Sequence, residues 1–113
     1  MKEVLNELIN LKNKLKVVGL YTHFASAKNP AFPRDTKNQI AIFDKWQGTF
    51  KKAKLKVICH AGATSGTILF PEAHYNMVRV GIGLYGIWPS REVQAFVQDK
   101  FTLKPVLSWR TSG

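Results

Sequence analysis

The sequence predicts an α/β fold in which parallel strands alternate with helices, and three observations support this class. Apolar residues recur at helical spacing in residues 1–15 and again in a segment that begins near Asp35. Short apolar runs, typical of strands buried on both faces, follow these two segments at 17–24 and 56–62. A third apolar run covers 76–86. Strands that alternate with helical segments indicate βαβ units and a parallel sheet.

The individual elements follow from local signals. Asp35 or Thr36 is predicted to cap the second helix. The apolar stripe of that helix consists of Ile40, Phe43, Trp46 and Phe50. Beyond the third strand, residues 92–98 predict one or two helical turns, and the chain is strand-like from residue 104.

The length sets a limit on this architecture. Three βα units leave both edges of a parallel sheet open, and open edges invite pairing with other strands. A complete (β/α)8 barrel of the TIM type takes roughly 250 residues, whereas this chain has 113. The sequence therefore predicts a slice of a larger α/β fold, such as a partial (β/α)8 barrel.

Composition excludes several classes of protein. Apolar residues make up 45% of the chain, which argues against disorder. The single cysteine, Cys59, excludes a disulfide framework and a cysteine-rich zinc site, and we expect no metal. No signal peptide or apolar run long enough for a membrane span is visible, so a cytoplasmic protein without membrane contact is expected. The net charge of +10 predicts attraction of polyanions at low salt.

Polar residues collect where the predicted strands end, the edge at which parallel α/β folds bind ligands. His23 ends the first strand, and it is either an acid–base or orienting group or a histidine bonded to a loop carbonyl. His60 ends the second strand, and packing under the sheet rim is the favoured interpretation. The small, hydroxyl-bearing turn at 63–67 is equally consistent with a phosphate site and with an ordinary helix cap. Arg79 lies in the third strand, where pairing with a carboxylate is the default expectation.

Two further patterns carry less weight. Residues 81–86 match G-x-G-x-x-G, but the apolar run continues to Ile87 and no helix opens there, so a dinucleotide site is rejected. Lysines 51, 52, 54 and 56 suggest a nucleic-acid surface, although a solvated helix end explains them better. No aromatic platform accompanies them, and no specific nucleic acid is expected.

Three strings resemble alanine racemases, which use pyridoxal 5'-phosphate (PLP) to interconvert L- and D-alanine. These are GLYTHFASA at 19–27, HAGATSGTILFPEAHYNMVRVGIGLYGIWPS at 60–90 and LKPVLSWRT at 103–111. The resemblance implies that residues 1–102 are a later part of a PLP-binding barrel and that 103–113 begin a C-terminal β-domain. It also implies a homodimer that supplies D-alanine as a peptidoglycan precursor.

The resemblance further implies roles for individual residues. Arg79 matches an arginine that faces the pyridine nitrogen of the cofactor, and His23 matches the histidine that links this arginine to a catalytic tyrosine. Thr64 stands where the family usually has a phosphate-binding serine. Gly81 and Ile82 match positions whose backbone N–H groups bind the phosphate.

The sequence also departs from the family pattern. Ala63 replaces a common asparagine and Lys28 a common aspartate, which removes one polar contact and puts the loop conformation in doubt. The lysine that carries the cofactor and the opposing tyrosine match nothing in the 113 residues, so the isolated chain is expected to be inactive. Two alternatives stay open: a non-catalytic PLP-binding barrel derivative and a basic nucleic-acid-binding module. Alanine, serine or another small amino acid could be the substrate.

Overall fold

The computed structural model describes residues 1–111 and shows an α/β chain with parallel strands. Its helices and strands are α1 (Lys2–Asn10), β1 (Gly19–Tyr21), α2 (Arg34–Lys52), β2 (Ile58–His60), α3 (Thr64–Leu69) and α4 (Arg91–Val97). Two 3₁₀ turns lie at Pro71–Ala73 and Ile82–Tyr85. The predicted alternation of helix and strand is confirmed in the first half of the chain.

The two strands form a parallel pair in which Leu20 lies opposite Cys59 and Tyr21 opposite His60. Both strands are three residues long, shorter than the predicted runs at 17–24 and 56–62. Cys59 is 2% exposed, so its thiol is packed in the interior. The pairing places the carboxyl ends of β1 and β2 side by side.

The predicted third strand at 76–86 is wrong. Within this segment, only Met77 forms a bridge, parallel to His60. The backbone follows β2 as far as Arg79, whose N–H donates to the Gly62 carbonyl at 2.8 Å. It then bends into the second 3₁₀ turn and ends at Gly86 with φ of 75°, a left-handed conformation that strand residues do not adopt. The apolar composition of this segment predicted a strand, but its glycines allow the backbone to form a turn instead.

The predicted caps of α2 are also wrong. The helix begins at Arg34 directly after Pro33, and neither Asp35 nor Thr36 caps it. Proline fixes φ near the helical value, so the first turn can start before a polar cap is reached. Thr36 instead lies inside the first turn, 1% exposed, with no hydrogen-bond partner for its hydroxyl in the described chain.

The two ends of the chain are loosely packed. Helix α1 ends at Asn10 rather than at 15 and buries no residue, and a short helix without packing has little to hold its last turn. Residues 104–111 form no strand, since no neighbouring strand is there to pair with them, which corrects that prediction; positions 112–113 lie outside the described residues. Helix α4 was predicted and is confirmed, with the Ser90 hydroxyl accepting from the Val93 N–H at 3.1 Å.

The core lies between α2, the strand ends and α3. Its buried members are Phe24, Ala27, Ile40, Ala61, Phe70 and Ala73. The radius of gyration is 18.0 Å, whereas a compact chain of this length would have about 13 Å. The core therefore packs around the strand ends, whereas much of the rest of the chain lies outside it.

Candidate functional site

A cleft of about 440 Å³ opens at the carboxyl ends of β1 and β2. Its walls come from the loop after β1, the start of α3 and the turn that follows Arg79. The five residues to which the family resemblance gives roles all line it, namely His23, Thr64, Arg79, Gly81 and Ile82. The topology thus brings together side chains that are up to 59 positions apart, as His23 and Ile82 are.

Arg79 is the hub of the cleft. One guanidinium nitrogen, Nη2, donates to the backbone carbonyls of Thr22 at 2.9 Å and Ala61 at 3.1 Å. The other, Nη1, contacts Nδ1 of His60, and Nη2 lies 3.5 Å from Nδ1 of His23. None of these hydrogen-bond partners is a carboxylate, so the expected ion pair is wrong. Carbonyl and imidazole acceptors orient the guanidinium and leave its positive charge unneutralised.

Tyr21 and His60 form a platform beside Arg79. Their rings stack with centroids 5.2 Å apart and an interplanar angle of 5°, and the Arg79 Cζ lies 5.4 Å from the Tyr21 centroid. The parallel register explains the stacking, because opposite residues on paired strands project to the same face. Sequence reasoning favoured a packed role for His60 and gave Tyr21 none. The signal lay in their shared position at the ends of adjacent strands.

The pKa of His60 is lowered, first by burial and then by the positive charge of Arg79. Both effects disfavour the imidazolium form. A neutral imidazole can present Nδ1 as an acceptor to the Arg79 guanidinium, whereas a protonated ring would present only donors. The ionisation state and the geometry therefore agree.

Thr64 organises the opposite end of the cleft. Its side chain is 5% exposed, and its Oγ1 accepts hydrogen bonds from the N–H groups of Gly81 and Gly83, each at 3.2 Å. Ile82 lies between them as the first residue of the 3₁₀ turn, where a backbone N–H has no partner inside the turn. Hydroxyl and amide donors are thus concentrated at this end.

The charge of the cleft favours an anion. Its cationic lining residues are Lys28 and Arg79, and none of its described lining residues is acidic. Ala63 contributes no polar side-chain atom. The loop that contains Lys28 is held by a residue outside the cleft, because the Ser90 hydroxyl donates to the Lys28 carbonyl at 3.0 Å. Lysine at this position thus coexists with an ordered loop.

Two features of residues 1–111 bear on other classes of function. No group of three or more His, Cys, Asp or Glu residues is placed to hold a metal ion there. No helix in this range is both long and apolar enough to cross a membrane.

A basic cleft at the carboxyl ends of parallel strands lies where α/β proteins usually bind their ligands. Comparison with known proteins identifies the family. Residues 1–89 match the family described as alanine racemase, N-terminal domain. The chain therefore belongs to this family, whose members include isomerases named alanine racemase.

Individual relatives agree with this assignment. The alanine racemase of Leptospira interrogans serogroup Icterohaemorrhagiae is 35% identical over 119 residues, covering 98% of this chain and 29% of that protein. The Staphylococcus carnosus alanine racemase is 38% identical over 104 residues, or 92% of this chain and 25% of the relative. The chain thus spans less than a third of these relatives' length.

Solved structures contain the same arrangement. An alanine racemase of Clostridium difficile 630 in complex with cycloserine superposes with a TM-score of 0.80 at 32% identity, covering 93% of this chain and 28% of that one. The Bacillus anthracis alanine racemase with bound L-Ala-P gives 0.79 at 30% identity, with 92% and 27% covered. None of these comparisons supports a nucleic-acid-binding module.

Proposed function

We propose that the cleft binds PLP and that the chain is the cofactor-binding part of an alanine racemase barrel. One observation carries this proposal: a single cleft has the positive charge of Arg79 at one end and a cluster of uncharged donors around Thr64 at the other. PLP has a matching pair of ends, a pyridine nitrogen and a phosphate. The cleft volume of about 440 Å³ lies within the usual range for small-ligand sites.

At the phosphate end, the Thr64 hydroxyl and the Ile82 N–H would hold the anion, whereas Gly81, whose N–H donates to Thr64, would position the turn rather than bind the phosphate directly. The two lone pairs of the Thr64 hydroxyl already accept the N–H groups of Gly81 and Gly83, so its one proton is left for a phosphate oxygen. Ile82 supplies an N–H that its own turn does not use. Lys28 adds a positive charge to the lining of the cleft.

At the ring end, Arg79 would face the pyridine nitrogen. Bound PLP withdraws electrons from the α-carbon of an amino acid. An arginine, whose pKa exceeds roughly 12, keeps its proton and donates a hydrogen bond without protonating the ring nitrogen. By leaving the ring nitrogen unprotonated, Arg79 would limit the electron withdrawal that the cofactor supplies and so favour return of the α-proton over side reactions. His23 would hold the far side of the guanidinium and link it toward the catalytic tyrosine.

The complete protein is proposed to act on alanine in the cytoplasm as a homodimer. The L-Ala-P bound to the Bacillus anthracis relative supports a small amino acid of this class. By the family resemblance, the lysine and tyrosine that exchange the α-proton come from segments beyond the 113 residues. A symmetric exchange requires a base on each face of the substrate.

A chimaera tests this proposal. Residues 1–102 replace the matching section of the Leptospira alanine racemase, and racemisation of L-alanine is measured. We expect an active chimaera whose kcat falls about a hundredfold on Arg79→Glu, with a changed cofactor absorption spectrum, because a directed donor is lost. Arg91→Glu makes the same charge change on the exposed side of α4, outside the cleft, and should leave both unchanged. An Arg79→Glu chimaera with unaltered rate and spectrum would show that Arg79 is only structural.

A further inference from the structure

Thr64 and Gly83 lie against each other beneath the phosphate end of the cleft. The Gly83 N–H donates to the Thr64 hydroxyl at 3.2 Å. A Cβ atom at position 83 would lie 2.7 Å from the Thr64 methyl carbon Cγ2 and 3.3 Å from a methyl of Val80. Two non-bonded carbon atoms prefer about 3.5–4.0 Å. Position 83 therefore accepts no side chain unless the threonine moves.

The threonine has little freedom to move. It is β-branched, so few rotamers are open to it, and it is 5% exposed. Rotation about its Cα–Cβ bond would carry the methyl away from position 83, but it would also carry the hydroxyl away from two backbone donors. The N–H groups of Gly81 and Gly83 would then lose their acceptor. Both hydrogen bonds are part-buried, so losing their shared acceptor would leave two backbone donors unpaired and cost free energy.

We propose that Thr64 and Gly83 are a matched pair that fixes the shape of the phosphate-binding turn. The hydroxyl of Thr64 ties Gly81 and Gly83 together, and its methyl group requires glycine at position 83. The pair positions the turn so that the Thr64 proton and the Ile82 N–H converge on one anion. The role of the pair toward a phosphate rests on the proposed function, but its role in shaping the turn does not.

A double-mutant cycle tests the pair in the 113-residue chain. Hydrogen exchange of residues 80–86, followed by mass spectrometry without PLP, measures the order of the turn. We expect Gly83→Ala to speed this exchange about tenfold, because overpacking a rigid site breaks its hydrogen bonds. Thr64→Ser keeps the hydroxyl and removes the methyl, so its exchange should stay within about twofold of the parent chain. The double variant Thr64→Ser, Gly83→Ala should return to within about threefold.

Two more variants complete the design. Thr64→Val keeps the shape but removes the acceptor, and it should speed exchange at least as much as Gly83→Ala. Gly48→Ala is the matched control, because a Cβ there meets nothing within 4 Å and the residue lies in α2 outside the cleft. It should leave residues 80–86 unchanged. If Gly83→Ala alone unfolds the chain, a folded double variant still supports the pair. A double variant as impaired as Gly83→Ala would overturn it.

Titration of the same variants with PLP separates this inference from the proposed function. The expected result is a loss of PLP affinity in Gly83→Ala of about tenfold, recovered in the double variant. Coupled exchange without PLP binding would support the pair and contradict the proposed function. PLP binding with purely additive exchange effects would do the opposite.

Discussion

The cleft and the outer edge of β1 differ sharply in how well their residues are buried and hydrogen-bonded by the rest of the chain. At the cleft, Thr64, Ser65 and Gly66 are buried, and Arg79 donates to partners from both strand ends. At the outer edge, α1 buries no residue. Beyond α4, Trp109 is 90% exposed. The cleft is therefore packed and hydrogen-bonded by contacts among the described residues, whereas the outer edge is left largely exposed by them.

The outer edge has a defined form. An apolar groove of about 530 Å³, the edge groove, runs between α1 and α2 along β1; Val4, Leu8, Leu20, Ile42, Phe43 and Trp46 are among its lining residues. The Val18 carbonyl and the Thr22 N–H bond to β2. In a parallel pair, alternate residues bond to the same neighbour, so Gly19 and Tyr21 direct their backbone groups to the open side. The edge groove therefore combines free strand donors and acceptors with exposed apolar surface.

The largest expected effect concerns catalysis. The 113-residue chain with added PLP should racemise L-alanine no faster than free PLP, because the family's two proton-transfer groups match none of its residues. The assay is the loss of optical rotation with enzymatic detection of D-alanine, and the active chimaera is its positive control. Turnover well above free PLP would mean that residues of the cleft itself exchange the proton.

The next effect concerns association through the edge groove. An open strand edge with an apolar face favours self-association, so size-exclusion chromatography of the isolated chain should show oligomers. Ile42→Lys places a charge in the edge groove and should weaken association about tenfold or more. Ile87→Lys is the matched control, since Ile87 is 55% exposed and Ile42 56%. A sharp monomer peak for the unaltered chain, with cooperative melting, would show that the edge needs no cover.

A smaller effect concerns acid stability of the cleft. The pKa of His60 in the folded chain lies below its ordinary value of 6.5, so between these two values the unfolded chain binds more protons. The free energy of unfolding should therefore fall as the pH is lowered through this window. His60→Asn, whose amide oxygen can replace Nδ1 as the acceptor for Arg79, should weaken that dependence. Urea unfolding at pH 7 and pH 5 measures this loss of unfolding free energy. An equal loss in the parent chain and in His60→Asn would contradict the prediction.

The sequence predicted the contents of the site better than the details of the fold. His23 and Thr64 line one cleft because the ends of β1 and β2 lie at one edge, as a parallel pair requires, whereas Arg79, Gly81 and Ile82 reach the same cleft through the segment that follows β2 and then turns. Hydrogen bonds at Arg79 were not predictable, since carbonyl and imidazole acceptors come from chain segments up to 57 positions away. The third strand was mispredicted because its apolar composition was given more weight than its glycines. The caps of α2 were mispredicted because the helix begins directly after Pro33, before Asp35 and Thr36 are reached.

The resemblance to alanine racemases suggested roles for individual residues, which the helix and strand periodicity of the sequence could not do. The stretch of 63–67 was equally consistent with a phosphate site and with an ordinary helix cap. No side chain caps α3, so the cap interpretation is wrong, and the phosphate site stays a prediction. Thr64 begins α3, and its hydroxyl binds a distant turn rather than its own helix. A tertiary contact of this kind leaves no signal in local sequence.

Binding of PLP compared with pyridoxal, which lacks the phosphate, tests the central claim most directly. Titration of the 113-residue chain, followed by the absorbance of the bound cofactor, gives both affinities. If Thr64 and Ile82 hold the phosphate, PLP should bind at least about a hundredfold more tightly than pyridoxal, since charge-assisted hydrogen bonds are involved. Thr64→Val should remove most of that preference and leave the affinity for pyridoxal unchanged. Equal affinities for PLP and pyridoxal in the unaltered chain would contradict the assignment of the cleft.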